Sequence, residues 1–308
     1  MNRLVKFYYF IKPLIPRSVQ IWFRRQQISR NKDKYTNIWP IHPEAGKVPE
    51  NFKGWPHNKK FAVVLSHDID TLRGFNRCLQ LMALDKQYGF CASFNFIPER
   101  YPLNTGIYPM IRSNGFEVAV HGLHHDGKLF QSYKTFHKRA QKINEYLNKW
   151  QSVGFNSPAM HHNLEWIHEL NILYDCSTFD TDPFEPQPVG CQTIFPFWVD
   201  NPDMTKGFIE LPYTLPQDFT LFILMQEKSI DIWRKKIDWI AEKGGMLLLN
   251  THPDYINFGQ TKCLSEEYPA RYYESFLRLL KEKYSNEYWN ALPRQVAEFW
   301  KQEYVDRG

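Results

Sequence analysis

The run Phe61 to Asp70, FAVVLSHDID, restricts what this chain can fold into more than any other stretch of it. Five apolar residues lead without a turn signal into Ser66, His67, Asp68, Ile69 and Asp70. A short, continuous apolar run of this kind is the pattern of a strand buried on both faces, as in a parallel sheet. In α/β folds ligands collect beyond the carboxyl ends of such strands, so a strand that delivers two carboxylates there is placing chemistry. Asp68 and Asp70 are two positions apart and project the same way on a continuing strand. Two like charges aimed into one site call for a cation or a shared proton.

A second strand pattern, Phe116 to Gly127, FEVAVHGLHHDG, ends in His121, His124, His125 and Asp126. His121 and His125 stand four apart, a spacing that brings two imidazoles to one face if the chain turns helically after the strand. One carboxylate with two imidazoles makes a first-row metal site that keeps positions open for water and substrate. A lone histidine would be read as a satisfied core or surface residue. Three histidines and three acids at two strand ends reverse that reading.

The alternation continues along the chain. Helical pattern is predicted over 75–88, ending at Gly89, then a strand over 91–97, a short helix over 107–113 and the strand that carries His121. Residues 131–150 place Phe136, Ala140, Ile143, Leu147 and Trp150 at helical spacing, an amphipathic helix for the outside of a sheet. A helix over 230–243 precedes the Gly244-Gly245 break and a third apolar run, Met246 to Tyr255, MLLLNTHPDY, which again delivers polar side chains, Asn250, Thr251 and His252. Pro293 is placed to start a helix in the C-terminal region. Strands alternating with helices of these lengths predict an α/β fold on a parallel sheet.

The three strand ends resemble polysaccharide deacetylases, the NodB-homology family also called carbohydrate esterase family four. Ser66 to Asp70 is similar to that family's Thr-Phe-Asp-Asp-Gly, and His121 to His125 to its His-Ser/Thr-x-x-His. Asp68 to Gly74, DIDTLRG, is similar to the variant first motif of deformylases acting on lipid-linked amino sugars. The resemblance spans residues 61–255 and implies a distorted (β/α) barrel and a divalent metal, zinc first, held by Asp70, His121 and His125. It implies Asp68 as the base that takes a proton from the attacking water, and His252, in a stretch similar to Leu-x-His, as the acid that protonates the leaving amine. Tyr174 to Pro188 resembles the motif whose aspartate tunes that acid; Asp182 is our choice, ahead of Asp180 and Asp175. Where the family carries Arg-x-Pro this chain has Asn156, Ser157 and Pro158. The arginine that orients the catalytic aspartate is therefore missing, with His161, His162 and Arg73 as candidate replacements. His67 alternates away from Asp68 and is assigned to packing or to support of the site from behind. The segment 183–216, rich in Pro and aromatics, is expected to cover the substrate.

Residues 1–36 differ in kind from the rest. They hold nine Lys and Arg against Asp33, a net of +8 in a chain whose total is +5, leaving −3 for the remainder. Aromatics from Phe7 to Phe23 interleave with these cations, the composition of a segment lying in an anionic membrane interface; a basic arm packed on the barrel exterior is the competing expectation. The apolar run is too short to span, Pro13 and Pro16 interrupt it, and no cleavage-site pattern follows it. The basic residues do not continue into a nucleic-acid recognition module, and no nucleic-acid partner is expected. The expected organisation is a basic aromatic arm and lead-in over 1–59 and a catalytic barrel over 60–308.

Five cysteines, odd in number and without CxxC spacing, point to a reducing compartment and to buried, apolar use of the thiols. The expected setting is cytoplasmic, peripheral on the inner face of the membrane. The expected activity is metal-dependent removal of an N-acetyl or related acyl group from an amino sugar in a polysaccharide or glycolipid. Two alternatives stand beside it: a deformylase or deacetylase of a membrane lipid-linked sugar, and a catalytically silent carbohydrate-binding domain.

Overall fold

The computed structural model describes residues 15–201, 206–259 and 262–305. The first fourteen residues of the basic arm, with Phe7 to Phe10, lie outside the described residues. The elements in chain order are α1 (Arg17–Asn31), β1 (Phe61–Ile69), α2 (Leu72–Tyr88), β2 (Ser93–Phe96), α3 (Ile107–Ser113), β3 (Glu117–His121), α4 (Tyr133–Lys149), β4 (Gly154–Asn156), α5 (Leu164–Ile167), β5 (Tyr174–Asp175), β6 (Phe197–Val199) and β7 (Phe208–Glu210). A π-helical turn over Phe219–Leu224 follows, then α6 (Asp231–Lys243), β8 (Met246–Thr251), β9 (Ile256–Asn257), β10 (Tyr268–Pro269), α7 (Arg271–Lys283), β11 (Tyr288–Asn290) and α8 (Pro293–Tyr304).

Every residue of β1 is buried, as its unbroken apolar run requires. β8 pairs with it in parallel along one side, while β11 and β2 share the other, so β1 is the centre of the sheet. From β2 the order runs β3, β4, β5, β7 and β6, all parallel except the last pair. The sheet curls until its ends approach: the backbone amides of Thr214 and Leu215, just past β7, both donate to the Leu248 carbonyl of β8, at 3.1 and 3.2 Å. The result is a distorted barrel with helices outside. α4 is the amphipathic helix expected, turning Phe136, Ala140, Ile143 and Leu147 inward. α2 begins three residues earlier than its apolar pattern suggests, because the Thr71 hydroxyl accepts from the Arg73 amide and caps it.

One expectation is extended and one changes. The segment 183–216 lends Glu185 and Pro186 to the lining of the cavity described below and is also part of the barrel wall. It holds β6 and β7, buries Ile194 and Phe195, and ties Ala45 to Met246 through the Ile194 backbone. The cysteines are all free, but Cys263 is exposed and only Cys78 and Cys176 are fully buried.

The lead-in is built into the barrel wall through its aromatics. The indole of Trp55 donates to Gly244 O at 2.8 Å, and Trp39 packs edge-on against Phe184. α1 buries Ile21 and Ile28. Its arginines reach across the barrel rim: Arg25 donates to Ile223 O at 2.8 Å and to Ser265 O at 3.1 Å, and Arg24 to Phe184 O at 3.1 Å. The part of the arm within the described residues therefore packs on the barrel.

Candidate active site

The carboxyl end of β1 hands Asp68 and Asp70 to one side, as the period of two requires. Past Asp70 the chain must turn at once into α2, and Asp254 organises that turn. One of its carboxylate oxygens accepts from the Asp70 amide at 3.0 Å; the other accepts from the Thr71 hydroxyl and from the Gly74 amide at 3.2 Å. A Cβ on Gly74 would stand 2.0 Å from Asp254 Oδ2. The glycine of DIDTLRG is thus the space into which that carboxylate fits. Burial and the neighbouring Asp70 charge push the Asp254 carboxyl up to about 6.

His121 is the last residue of β3. No helix follows it. Gly122 at φ 62° and His125 at φ 51° wind the chain through left-handed conformations, and this loop, rather than a helical turn, returns His125 to His121, ring centroids 5.3 Å apart. Gly122 is required twice over, since a Cβ there would also meet Pro158 at 2.5 Å. The His121 Nδ1 bonds the carbonyl of Asn156 at 3.0 Å, which leaves Nε2 as the nitrogen with a free lone pair. That atom and the His125 Nε2 lie 3.4 and 3.0 Å from Asp70 Oδ1. The same oxygen is buried and accepts no hydrogen bond. Three donor atoms facing one another this way, all within 4.8 Å, fit a metal ion at their centre. Burial disfavours charge on Asp70, but the His125 and His121 rings outweigh it and hold the carboxyl well below the usual range.

Asp68 is oriented differently. Its Oδ1 accepts from the Asn95 amide at 2.7 Å and its Oδ2 from the Asn250 amide at 2.8 Å. Asn95 is its register partner on β2, and Asn250 lies on β8 across from Ser66. The hydrogen bonds that orient this carboxylate thus come from two neutral amides, and the rings nearest its Oδ2 are His121 at 3.6 Å and His252 at 3.9 Å. Asn156 turns its own amide to the Tyr213 hydroxyl at 2.7 Å, and His162 bonds Met160 O at 3.0 Å. Arg73 lines the cavity above the site.

His252 follows β8 directly and brings its Nε2 to 3.9 Å from Asp68 Oδ2. Its Nδ1 bonds Asp218 Oδ1 at 2.7 Å, and its backbone amide donates to Asp218 Oδ2 at 2.8 Å. Burial opposes charge on this ring; Asp218, then Asp70 and Asp68, override it and push the pKa up to about 10. The choice of Asp182 as the partner of His252 is corrected by this contact. Asp182 lies buried beside Glu185 and accepts from the Phe184 amide at 3.0 Å, which closes its own loop. Asp180 is committed to a buried ion pair with Lys236, and Asp175 bonds Ser177 at 2.5 Å. Asp218 escaped sequence reasoning because its only local signal is that of a cap, directly ahead of the apolar run Phe219–Leu224. Asn95 left a better trace: an amide between Phe94 and Phe96 in a buried strand has to bond something.

These groups open on a cavity of about 760 Å³. Asp68, Asp70, His121, His125 and His252 form its floor side, and Arg17, Gln20 and Arg24 of α1 line it as well. Arg17 and Arg24 stack over the Phe219 ring at 5.2 and 5.6 Å, and Arg17 donates to the Tyr255 hydroxyl at 3.2 Å.

Neither the protein-family models nor the curated proteins yield a match to the chain. Solved structures do. A protein from Pseudomonas aeruginosa PAO1 assigned as a polysaccharide deacetylase superposes with a TM-score of 0.61 at 15% identity, covering 81% of this chain and 94% of its own. PuuE allantoinase gives 0.61 at 13%, covering 81% and 93%. A protein from Mycobacterium smegmatis, also assigned as a polysaccharide deacetylase, gives 0.57 at 17%, covering 83% and 95%. The chain has the distorted (β/α) barrel of these proteins, the fold the sequence resemblance implied.

Proposed function

We propose that this protein is a metal-dependent hydrolase that removes an N-acetyl or related acyl group from an amino sugar. The observation that carries the reading is the buried, unbonded Oδ1 of Asp70 with the Nε2 atoms of His121 and His125 facing it at 3.4 and 3.0 Å. A divalent cation held there, zinc being our choice for one carboxylate and two imidazoles, supplies polarisation of the scissile carbonyl and acidification of the attacking water. Asp68, fixed by two amides, accepts the proton that water gives up. His252, kept protonated by Asp218, hands a proton from Nε2 to the departing amine. The 760 Å³ cavity is of a size for one or more sugar rings. The deacetylase names of the superposed proteins support the same class.

The silent carbohydrate-binding alternative rested on the missing arginine. The bonds from Asn95 and Asn250 speak against it, because they orient Asp68 without that arginine. A glycolipid substrate, with the protein cytoplasmic and peripheral on the inner membrane face, is favoured by the placement of a basic helix along the cavity and by five free cysteines. No helix among the described residues is long and apolar enough to cross a membrane.

The test is elemental analysis of the wild type beside His121→Ala and His125→Ala, with acetate and formate release from amino-sugar substrates followed on the same samples. The expected result is near-stoichiometric metal and acyl release in the wild type and loss of both in each variant. A wild type that neither holds nor takes up metal would overturn the reading; the ratio of acetate to formate names the acyl group.

A further inference from the structure

α1 buries Ile21 and Ile28 on the barrel but carries a second apolar set on the opposite side, which packing on the barrel alone does not require. At 100° per residue, Arg17, Gln20 and Arg24, which line the cavity, point about 140° away from Val19, Trp22 and Phe23. Those three are 38%, 55% and 59% exposed, and the Trp22 and Phe23 rings stack edge to face at 5.0 Å. Two further exposed apolar side chains lie on other segments of the same rim. Leu72 sits between the cavity-lining Thr71 and Arg73, and Leu264 adjoins Ser265, to which Arg25 is bonded. Five of the ten large apolar side chains exposed among the described residues thus lie on α1, whose other face lines the cavity, or beside residues that line it or bond α1. Cations share that rim: Arg24, Arg73, Arg100 and Lys128 line the cavity, and Arg30 stands on the outward side of α1, exposed.

We infer that this rim is a docking surface for an anionic lipid bilayer, seating Trp22, Phe23, Val19, Leu72 and Leu264 at headgroup depth so that the cavity opens onto the membrane surface. The inference rests on reading the cavity as the substrate site. Charge complementarity selects the occupant: within the described residues, 15–36 hold Arg17, Arg24, Arg25, Arg30, Lys32 and Lys34 against Asp33, a net of +5, and aromatic side chains among cations suit an anionic interface. A protein partner would favour one continuous apolar patch. Here the apolar residues come from three separate segments, α1, the start of α2 and the stretch ahead of β10, with cations on or beside them.

The test is sedimentation of the full chain with phosphatidylcholine vesicles containing phosphatidylglycerol, against vesicles of phosphatidylcholine alone. The wild type is expected to pellet with the first and stay in solution with the second. Trp22→Ser/Phe23→Ser is expected to lower the partition coefficient about tenfold or more, and Leu72→Ser, on a different segment, by a smaller factor. Both should keep wild-type circular dichroism, metal content and acyl release from a soluble N-acetylglucosamine oligomer, since none of these side chains lines the cavity. A wild type that stays in solution with anionic vesicles overturns the inference, as does undiminished pelleting of the double variant. Conversion of a dimer to a monomer by Trp22→Ser/Phe23→Ser, read by ultracentrifugation, overturns it in favour of a second copy of the chain. Failure of the hydrolase reading would look different: vesicle binding without metal or acyl release.

Discussion

His67 and Asp68 follow one another along β1 and face opposite ways, and each belongs to a cluster of histidine and aspartate. On the His67 side every polar atom has a partner. Nδ1 bonds the Thr251 hydroxyl at 2.8 Å, Nε2 bonds Asp85 at 2.9 Å, and the other Asp85 oxygen accepts from Tyr273 at 2.7 Å, with ring and carboxylate sealed from solvent. On the Asp68 side the residue types are the same, but Asp70 Oδ1 has no hydrogen bond, two imidazole nitrogens converge on it, and the group opens on a cavity. Residue type therefore does not separate a structural cluster from a reactive one. What separates them is incomplete bonding joined to converging donor atoms and an opening onto a cavity, since a fully satisfied buried network only rigidifies.

The comparison breaks most directly at Asp68. Asp68→Asn keeps the shape and removes the base, and should lower kcat by about 10²–10⁴-fold with little change in Tm or metal content. If the rate survives, Asp68 is only a second orienting group and the two faces of β1 differ less than their geometry says. The mirror-image change is Asp85→Ala, which strands the His67 ring nitrogen and the Tyr273 hydroxyl in a dry interior. A loss of about 3 kcal/mol in unfolding free energy is expected, from two unsatisfied buried groups, with kcat near wild type at temperatures where the variant remains folded. Denaturant melts and initial rates on the same sample read both quantities.

The sequence carried the cavity floor because it lies where apolar runs end. Phe61–Leu65, Val118–Val120 and Met246–Leu249 are unbroken apolar stretches, and the polar residues just past them, Asp68, Asp70, His121 and His252, are the ones the barrel gathers. The partners of those groups were harder to see. Asp218 lies 34 residues before His252 in a stretch that reads only as a cap, and its contact exists because Thr214 and Leu215 bring that segment against β8. Asp182 drew the choice by lying in an acid-rich loop, yet burial, not chemistry, is what fills that loop: all three acids are buried, Asp175 and Asp182 bonded to Ser177 and the Phe184 amide nearby and Asp180 paired with Lys236 of α6. The return of His125 to His121 was expected of a helical turn, and depends instead on two positive φ values that spacing does not encode.

Asp218 also offers the sharpest form of the comparison, because it is sealed like Asp85 and yet serves the open side. It accepts from the His252 ring at 2.7 Å, the His252 amide at 2.8 Å and the Tyr268 hydroxyl at 2.9 Å. With the His252 pKa raised to about 10 in the metal-free protein, the ring is protonated through neutral pH; a cation on Asp70 would remove part of that lift, so the alkaline limb of the rate profile should fall between the ordinary histidine value of about 6.5 and about 10. The same shift contributes to stability. Its share is fully present below the unfolded histidine value of about 6.5 and is lost as pH rises through about 10. Asp218→Asn keeps the shape, exchanges one of the two acceptor oxygens for an NH2 donor and removes the charge that holds the proton. It should lower kcat by about 10- to 100-fold, the usual cost of losing an orienting carboxylate, and move the alkaline limb to lower pH. A purely structural role would reduce the rate evenly across the profile, and an unmoved limb would place Asp218 with Asp85, as scaffold for the fold and not for the proton.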